Sequence, residues 1–327
     1  MIKWYQIVLL FFTLFGIELI YFRLAENYNI IDRPNHRSSH TKVTIRGGGV
    51  IFTIAILLAT ILQGFSQIYF VIGLLFISFI SFIDDLSPLN NRIRILFHVI
   101  AVAFLFYQLN LYSLPFYLIL LVFIFVIGTL NAVNFMDGIN GITGGYGLVA
   151  LCTLWFLNTQ IAFTTGVYLL AAIVGVLVFC FFNFRKKAKC FAGDVGSMSL
   201  AFIILYFVLL AIINTQNIKY IMILFIYGVD AVTTILLRFW RGENIFKAHR
   251  SHFYQFLANE KQMPHLMVAL IYMIMQALIN IILITADISN LLWFILYIVI
   301  GVTIFVLLRI KMEGRDRLFK KVDANNN

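Results

Sequence analysis

The chain has 327 residues, of which 62% are hydrophobic and 12% charged, and its mean hydropathy is +0.97. A soluble globular protein carries about 25% charged residues, so this composition excludes a soluble fold and predicts one integral membrane domain over residues 1–327. The net charge of +10 follows the loops between apolar segments, which points to membrane topology and away from nucleic acid.

A helix needs about 20 apolar residues to cross a bilayer, fewer where it is partly buried or ends in a cavity. Eleven such runs follow one another: 2–22, 50–62, 68–83, 95–111, 116–132, 144–157, 161–184, 198–213, 220–237, 265–286 and 291–308. The expected fold is all-α and polytopic, with about eleven spans over 2–308 and a tail over 309–327. The first run lacks a small-x-small cleavage site and more spans follow, so it reads as a span and not a signal peptide. Alternating the loops from the N-terminus puts 22 of the 24 Lys and Arg residues on one side, leaving only Lys3 and Lys219 on the other. The positive-inside rule then places the N-terminus outside and the C-terminus in the cytoplasm. Cys152, Cys180 and Cys190 lack metal-type or paired spacing and read as small packing residues.

Carboxylates are costly within a bilayer, about 2.5–3.5 kcal/mol at a helix centre even on the lenient scale. This chain keeps several at the ends of its apolar runs, on the predicted cytoplasmic side. Asp32–Gly49 is a polar loop ending in RGGG, without the GK[ST] of a P-loop. Asp84–Asp85 closes the third run, and two adjacent carboxylates favour a bound cation or a shared proton. A solvated helix end is the plain alternative. In NAVNFMDGINGITGG, Asn131, Asn134 and Asp137 recur every three residues and share a helix face. The glycines after them allow close backbone approach. FAGDVGS places Asp194 at the start of the eighth run, as a helix cap or as a metal ligand beside a phosphate-favouring N-terminus. Phe191 could stack on a flat base or anchor in the interface. Asp230 and Glu18, inside spans, read as structural. His249-Arg250-Ser251-His252 lies in the largest cytoplasmic loop and suits phosphate or sugar. A zinc site would need further ligands such as His36 or His40.

Together DRPNHRSSHTKVTIRGGG, the DD pair, NAVNFMDGINGI, FAGDVGS and HRSHFYQ resemble the motifs of the polyprenyl-phosphate N-acetylhexosamine-1-phosphate transferases, in the family's order over residues 32–255. The resemblance implies attack of undecaprenyl (polyprenyl) phosphate on a UDP-N-acetylhexosamine. The products are UMP and a polyprenyl-diphospho-sugar, and the active site lies on the cytoplasmic face of the bacterial inner membrane. It implies Mg²⁺, with Mn²⁺ able to substitute, and membrane lipids as partners; a homodimer is compatible. Carried over by position, Asp194 and Asn134 are the metal ligands, Asp84 and Asp85 serve the lipid phosphate, and Asp137 organises the centre. Phe191 and Gly138 sandwich the uracil, and Asn140 hydrogen-bonds it. His249, Arg250 and His252 hold diphosphate and sugar, and Arg94 meets the lipid phosphate. Asn140 stands where many bacterial members have Asp. HRSH replaces a triple His run, which favours the branch that initiates O-antigen or other envelope polysaccharide.

A transporter or lipid flippase is the main rival, because it also uses intramembrane acids and broken helices. Its polar groups should lie near the midplane and its halves should be related, and neither pattern is evident. A catalytically dead scaffold would have lost the DD pair or Asp194.

Overall fold

In the computed structural model the described residues are 3–32, 43–245, 249–286, 288 and 290–321. His36, His40 and most of the polar loop before Val43 lie outside them.

The helices are α1 (Trp4–Asn27), α2 (Val50–Leu62), α3 (Ile68–Leu86), α4 (Asn91–Gln108), α5 (Phe116–Met136), α6 (Ile142–Ile161), α7 (Val167–Asn183) and α8 (Gly193–Thr215). Then come α9 (Phe225–Trp240), the short α10 (Phe253–Gln255), α11 (His265–Thr285), α12 (Leu291–Glu313) and α13 (Arg315–Phe319). Each of the apolar runs is helical, so the chain is an all-helical, multi-pass membrane protein. Among the described residues, eight helical stretches are long and apolar enough to cross a bilayer, and α2 and α7 are shorter apolar helices. A two-stranded antiparallel ribbon, β1 (Ile31–Asp32) with β2 (Thr44–Ile45), is the one sheet among the described residues.

Several boundaries differ from expectation by a few residues, and two of them bear on the turns and the site. The seventh run was expected to start at Ile161, but α6 runs on to Ile161 and α7 starts at Val167. Asn158 reaches past the helix end, accepting from Thr164 N at 2.8 Å and donating to Thr164 O at 3.0 Å. Gly166, at φ +77°, then turns the chain. The third helix continues past its apolar run, so that Asp84 and Asp85 belong to its last turn.

Helix α8 is the axis of the bundle: every residue from Val195 to Leu209 is buried. A helix apolar all round belongs inside a bundle, and α2, α3, α5 and α6 surround this one. By contrast α1 and α12 lie at the periphery, where only 17% and 11% of their apolar windows are buried. Small residues let α2 and α8 cross closely. A Cβ on Gly49 would collide with the Gly196 Cα, and one on Gly196 with the Gly49 Cα. Buried hydroxyls join the same region, with Thr53 Oγ1 within hydrogen-bond distance of Ser78 Oγ at 3.0 Å and Ser199 Oγ at 3.1 Å. Within a bilayer such polar groups need protein partners, because lipid offers none.

Overpacking a tight crossing costs about 1–3 kcal/mol. Gly196→Ala is therefore expected to lower the thermal unfolding midpoint in detergent. Gly16→Ala, where a methyl meets nothing within 4 Å, should leave the midpoint unchanged or raise it.

Candidate active site

The site is built on the N-terminus of α8. The first turn of a helix leaves backbone N–H groups without partners, and Ala192 at the cap offers no side-chain acceptor. Asp85, from the end of α3, supplies both: Oδ1 accepts from Asp194 N at 2.9 Å and Oδ2 from Val195 N at 3.0 Å. Gly193 makes the approach possible. It sits at φ +71°, and a Cβ there would lie 2.5 Å from Asp85 Oδ2. Arg46 completes the partners of Asp85, with Nε 2.7 Å from Oδ1.

Adjacent in sequence, Asp84 and Asp85 occupy different environments. Asp85 has no exposed side-chain surface, whereas Asp84 retains 9%. Asp84 Oδ1 accepts from Leu89 N at 2.7 Å, and Oδ2 meets Arg94 Nη1 at 3.1 Å. Asp194 is the most open of the three at 23%, and its nearest cations stand off, Arg46 Nη2 at 4.0 Å and Arg94 Nη2 at 3.9 Å. Three carboxylates thus share two guanidiniums. Burial alone would lower the pKa of Arg46, but Asp85, Asp194 and Asp32 more than offset it and hold the value above the ordinary one.

The NFMDGING segment lies alongside. Asn134 Oδ1 is 3.4 Å from Ser197 Oγ on α8. Asp137 follows the last residue of α5 and accepts from Thr143 Oγ1 at 2.6 Å. Burial pushes its pKa up to about 6, with Asp85 adding to the rise. Gly138 packs on Tyr254, whose hydroxyl donates to Phe135 O at 2.9 Å. Asn140 is buried, and its amide donates to the carbonyls of Arg185 at 3.0 Å and Lys186 at 3.4 Å. An aspartate could not make those bonds, so here Asn140 ties the α5–α6 turn to the basic turn after α7. Asn183, not singled out from sequence, does parallel work: it accepts from Gly141 N at 2.8 Å and donates to Cys190 O at 2.8 Å. Phe191 is half-buried, and its backbone pairs with the segment from Ile45 to Gly48, donating to Ile45 O at 2.8 Å and accepting from Gly48 N at 2.9 Å.

The HRSH loop is held from behind by Asp230 of α9. This fully buried carboxylate accepts from Phe253 N at 3.0 Å, Tyr254 N at 3.3 Å and Tyr272 Oη at 2.5 Å, and lies 3.4 Å from His252 Nδ1. Arg309 of α12 adds a second anchor, with Nη2 donating to Ser251 O at 2.9 Å. In the sequence Arg309 is one basic residue after the last apolar run, with nothing to mark it as an anchor. Burial pushes the His249 pKa down to about 4, with His252 and Arg238 adding to the fall, so its ring is neutral near pH 7. Arg250 is different: its Nε and Nη2 are buried without a hydrogen-bond partner among the described residues, as is His252 Nε2. Unpaired buried donors are costly, a charged one especially, and mark where an anion would be welcomed.

Between α4, α5 and this loop lies a cleft of about 620 Å³. Arg94, Asn131, His249 and His252 line its polar end, and Ile95, Val99, Phe123 and Ile127 its apolar wall. His98, one turn beyond Arg94, also faces it and was missed from sequence. The structure therefore gathers Asp84, Asp85, Asp194, Asn134 and Arg94 at one point, with His249 and His252 across the cleft. Among the described residues no three His, Cys, Asp or Glu side chains converge as a ready metal cage.

The family model described as "Glycosyl transferase family 4" matches residues 67–212. The chain is 25% identical over 277 residues to a probable undecaprenyl-phosphate N-acetylglucosaminyl 1-phosphate transferase of Bacillus subtilis, covering 77% of this chain and 76% of that one. It is 28% identical over 249 residues to a phospho-N-acetylmuramoyl-pentapeptide-transferase of Enterococcus faecalis, covering 66% and 76%. It is also 29% identical over 143 residues to a putative UDP-N-acetylglucosamine–dolichyl-phosphate N-acetylglucosaminephosphotransferase of Saccharolobus solfataricus, covering 39% and 44%. The middle of the chain, residues 67–212, is thus similar to glycosyl transferase family 4, and the chain as a whole is similar to sugar-1-phosphate transferases that act on polyprenyl phosphates. The relatives' names differ in the sugar.

A raised carboxylate pKa means that the folded protein binds the proton more tightly than the unfolded chain does. The Asp137 contribution to stability is therefore full below the ordinary carboxylate value of 3.8 and is lost as pH rises through about 6. Thermal midpoints of the wild type and Asp137→Asn, measured between pH 4 and 7, should diverge over that window, with the wild type losing ground as pH rises. Parallel curves would remove Asp137 as the source.

Proposed function

We propose that this protein is a member of glycosyl transferase family 4 that transfers N-acetylhexosamine 1-phosphate from a UDP-sugar to undecaprenyl phosphate and so initiates an O-antigen or another envelope polysaccharide. The observation that carries the reading is the carboxylate–arginine cluster at the polar end of an apolar-walled cleft. A lipid phosphate needs both surfaces at once. An oxygen of that phosphate attacks the β-phosphorus of the donor, a new P–O bond forms, the bond to the bridging oxygen breaks, and UMP leaves. One phosphoanhydride replaces another, so no separate energy source is needed.

The donor set fits Mg²⁺. Mg²⁺ takes hard oxygen ligands and is usually held by one or two carboxylates, with waters and substrate phosphates completing the shell. Asp194 is partly open and makes only long contacts to its arginines, and Asn134 lies beside the same helix turn. We assign these two as ligands, with Mn²⁺ as an alternative ion. When bound, the ion offsets the diphosphate charge and favours the transition state.

Asp85 is read as the residue that fixes Asp194, because both of its oxygens are taken by backbone N–H groups. Asp84 is read as the carboxylate that meets the acceptor, since it shares Arg94 with the cleft. Arg94 neutralises the lipid phosphate, and Arg250, with His249 and His252, receives the diphosphate and sugar. Asp137 steadies the α5–α6 turn, and Phe191 and Gly138 offer surfaces to the uracil, which Asn140 borders through its carbonyl oxygen. The bias of Lys and Arg supports a cytoplasmic face for the site. The HRSH loop favours the polysaccharide-initiating branch, with UDP-N-acetylglucosamine or a 6-deoxy relative as donor.

Asp194→Asn should lower UMP release about 100-fold or more, the scale of losing a key electrostatic contact, with an unchanged thermal midpoint. Full activity would sink the metal assignment. Asp84→Asn and Asp85→Asn separate the pair. Asp84→Asn should cost activity with little stability, whereas Asp85→Asn should cost both, losing about 1–2 kcal/mol from the helix cap alone. Equal stability in the two variants would contradict the division.

A further inference from the structure

Two arginines approach one carboxylate from different sides. Arg94 is anchored on Asp84 (Nη1–Oδ2 3.1 Å) and stands 3.9 Å from Asp194 Oδ2. Arg46 is anchored on Asp85 (Nε–Oδ1 2.7 Å) and stands 4.0 Å from Asp194 Oδ1. Their surroundings differ. Arg94 lines the apolar-walled cleft, and Arg46 does not. Arg46 rides instead on the segment paired with Cys190–Ala192, through Phe191 N to Ile45 O, Gly48 N to Phe191 O and Gly49 N to Ala192 O. Tyr21 of α1 fixes its carbonyl, donating Oη to Arg46 O at 2.6 Å. The Arg46 side chain keeps 35% of its surface exposed.

We propose, resting on the transferase reading above, that Arg46 is a donor-side phosphate ligand. It binds the diphosphate of the UDP-sugar while Arg94 serves the acceptor phosphate. A guanidinium can hold a carboxylate along one edge and a phosphate with its remaining nitrogens. Asp85 holds the Arg46 side chain in place beforehand, so little ordering is left to binding. The gap of 4.0 Å to Asp194 exceeds a hydrogen bond, so an incoming phosphate oxygen displaces a loose contact and not a made one. Lysine is a point charge without the fork; it can stay beside Asp85 but cannot serve both partners.

The test uses the purified full chain. UDP and uridine are titrated calorimetrically into the wild type, Arg46→Lys and Arg94→Lys, and donor and acceptor KM are measured for each. Arg46→Lys should weaken UDP and raise donor KM about tenfold or more, leaving uridine affinity and acceptor KM within about twofold. Arg94→Lys should raise acceptor KM about tenfold or more and leave UDP affinity, uridine affinity and donor KM within about twofold. Equal loss of UDP and uridine, unchanged UDP affinity, or a matching rise in acceptor KM would overturn the proposal. A second measurement needs no variant: UDP, but not uridine, should protect Arg46 in the wild type from phenylglyoxal. Protection without any UMP release would uphold the donor-side ligand and defeat the transferase reading. UMP release without protection would do the opposite.

Discussion

The acceptance of two α8 N–H groups by the Asp85 carboxylate is the interaction on which the site depends. A helix that begins inside a membrane protein cannot leave its first donors to water, and leaving them unpaired is expensive. The chain solves this from another helix. Because α3 caps α8, the two ends are fixed relative to each other, and Gly193 at φ +71° lets the carboxylate come close enough. Asp194 then projects beside the cap. Arg46 is drawn in by the charge of Asp85, and Arg94 by that of Asp84. The site electrostatics are thus a consequence of how a helix end is satisfied.

The same device appears a second time. Asp230 is a buried carboxylate in α9 that accepts the N–H groups of Phe253 and Tyr254 at the start of α10. It positions the HRSH loop as Asp85 positions Asp194. Breaking a buried, fully hydrogen-bonded carboxylate is costly, because its partners are left unpaired. Both loops are therefore held rigidly while their outward groups stay free to act. Arg250 is the extreme case, with two buried nitrogens that have no hydrogen-bond partner among the described residues.

Apolar runs made the helices legible, because lipid requires near-continuous hydrophobic stretches and internal hydrogen bonding. Their ends were less so. The α6–α7 break depends on Asn158 folding back onto Thr164, a local contact that hydropathy does not register. The motif residues were visible as polar positions at span ends, but not their division of work. Asp84 and Asp85 are equivalent as letters and differ only in which helix end lies opposite. Asn140 looked like a base-reading residue, yet its amide donors are spent on two backbone carbonyls. Arg46 and Arg309 were hidden among residues counted for topology, since charge sign alone does not say which cation will meet a buried partner. Asn183 left no sequence signal, being a polar residue at the end of an apolar helix.

The most direct measurement is UMP release by the purified protein with undecaprenyl phosphate, a panel of UDP-N-acetyl sugars, and Mg²⁺ present or chelated. The account predicts release that requires both the lipid phosphate and the metal, and that is lost in Asp194→Asn. Release that persists without the lipid, or persists after chelation, would contradict the site as assigned. Folded protein that releases no UMP from any donor would contradict the reaction itself.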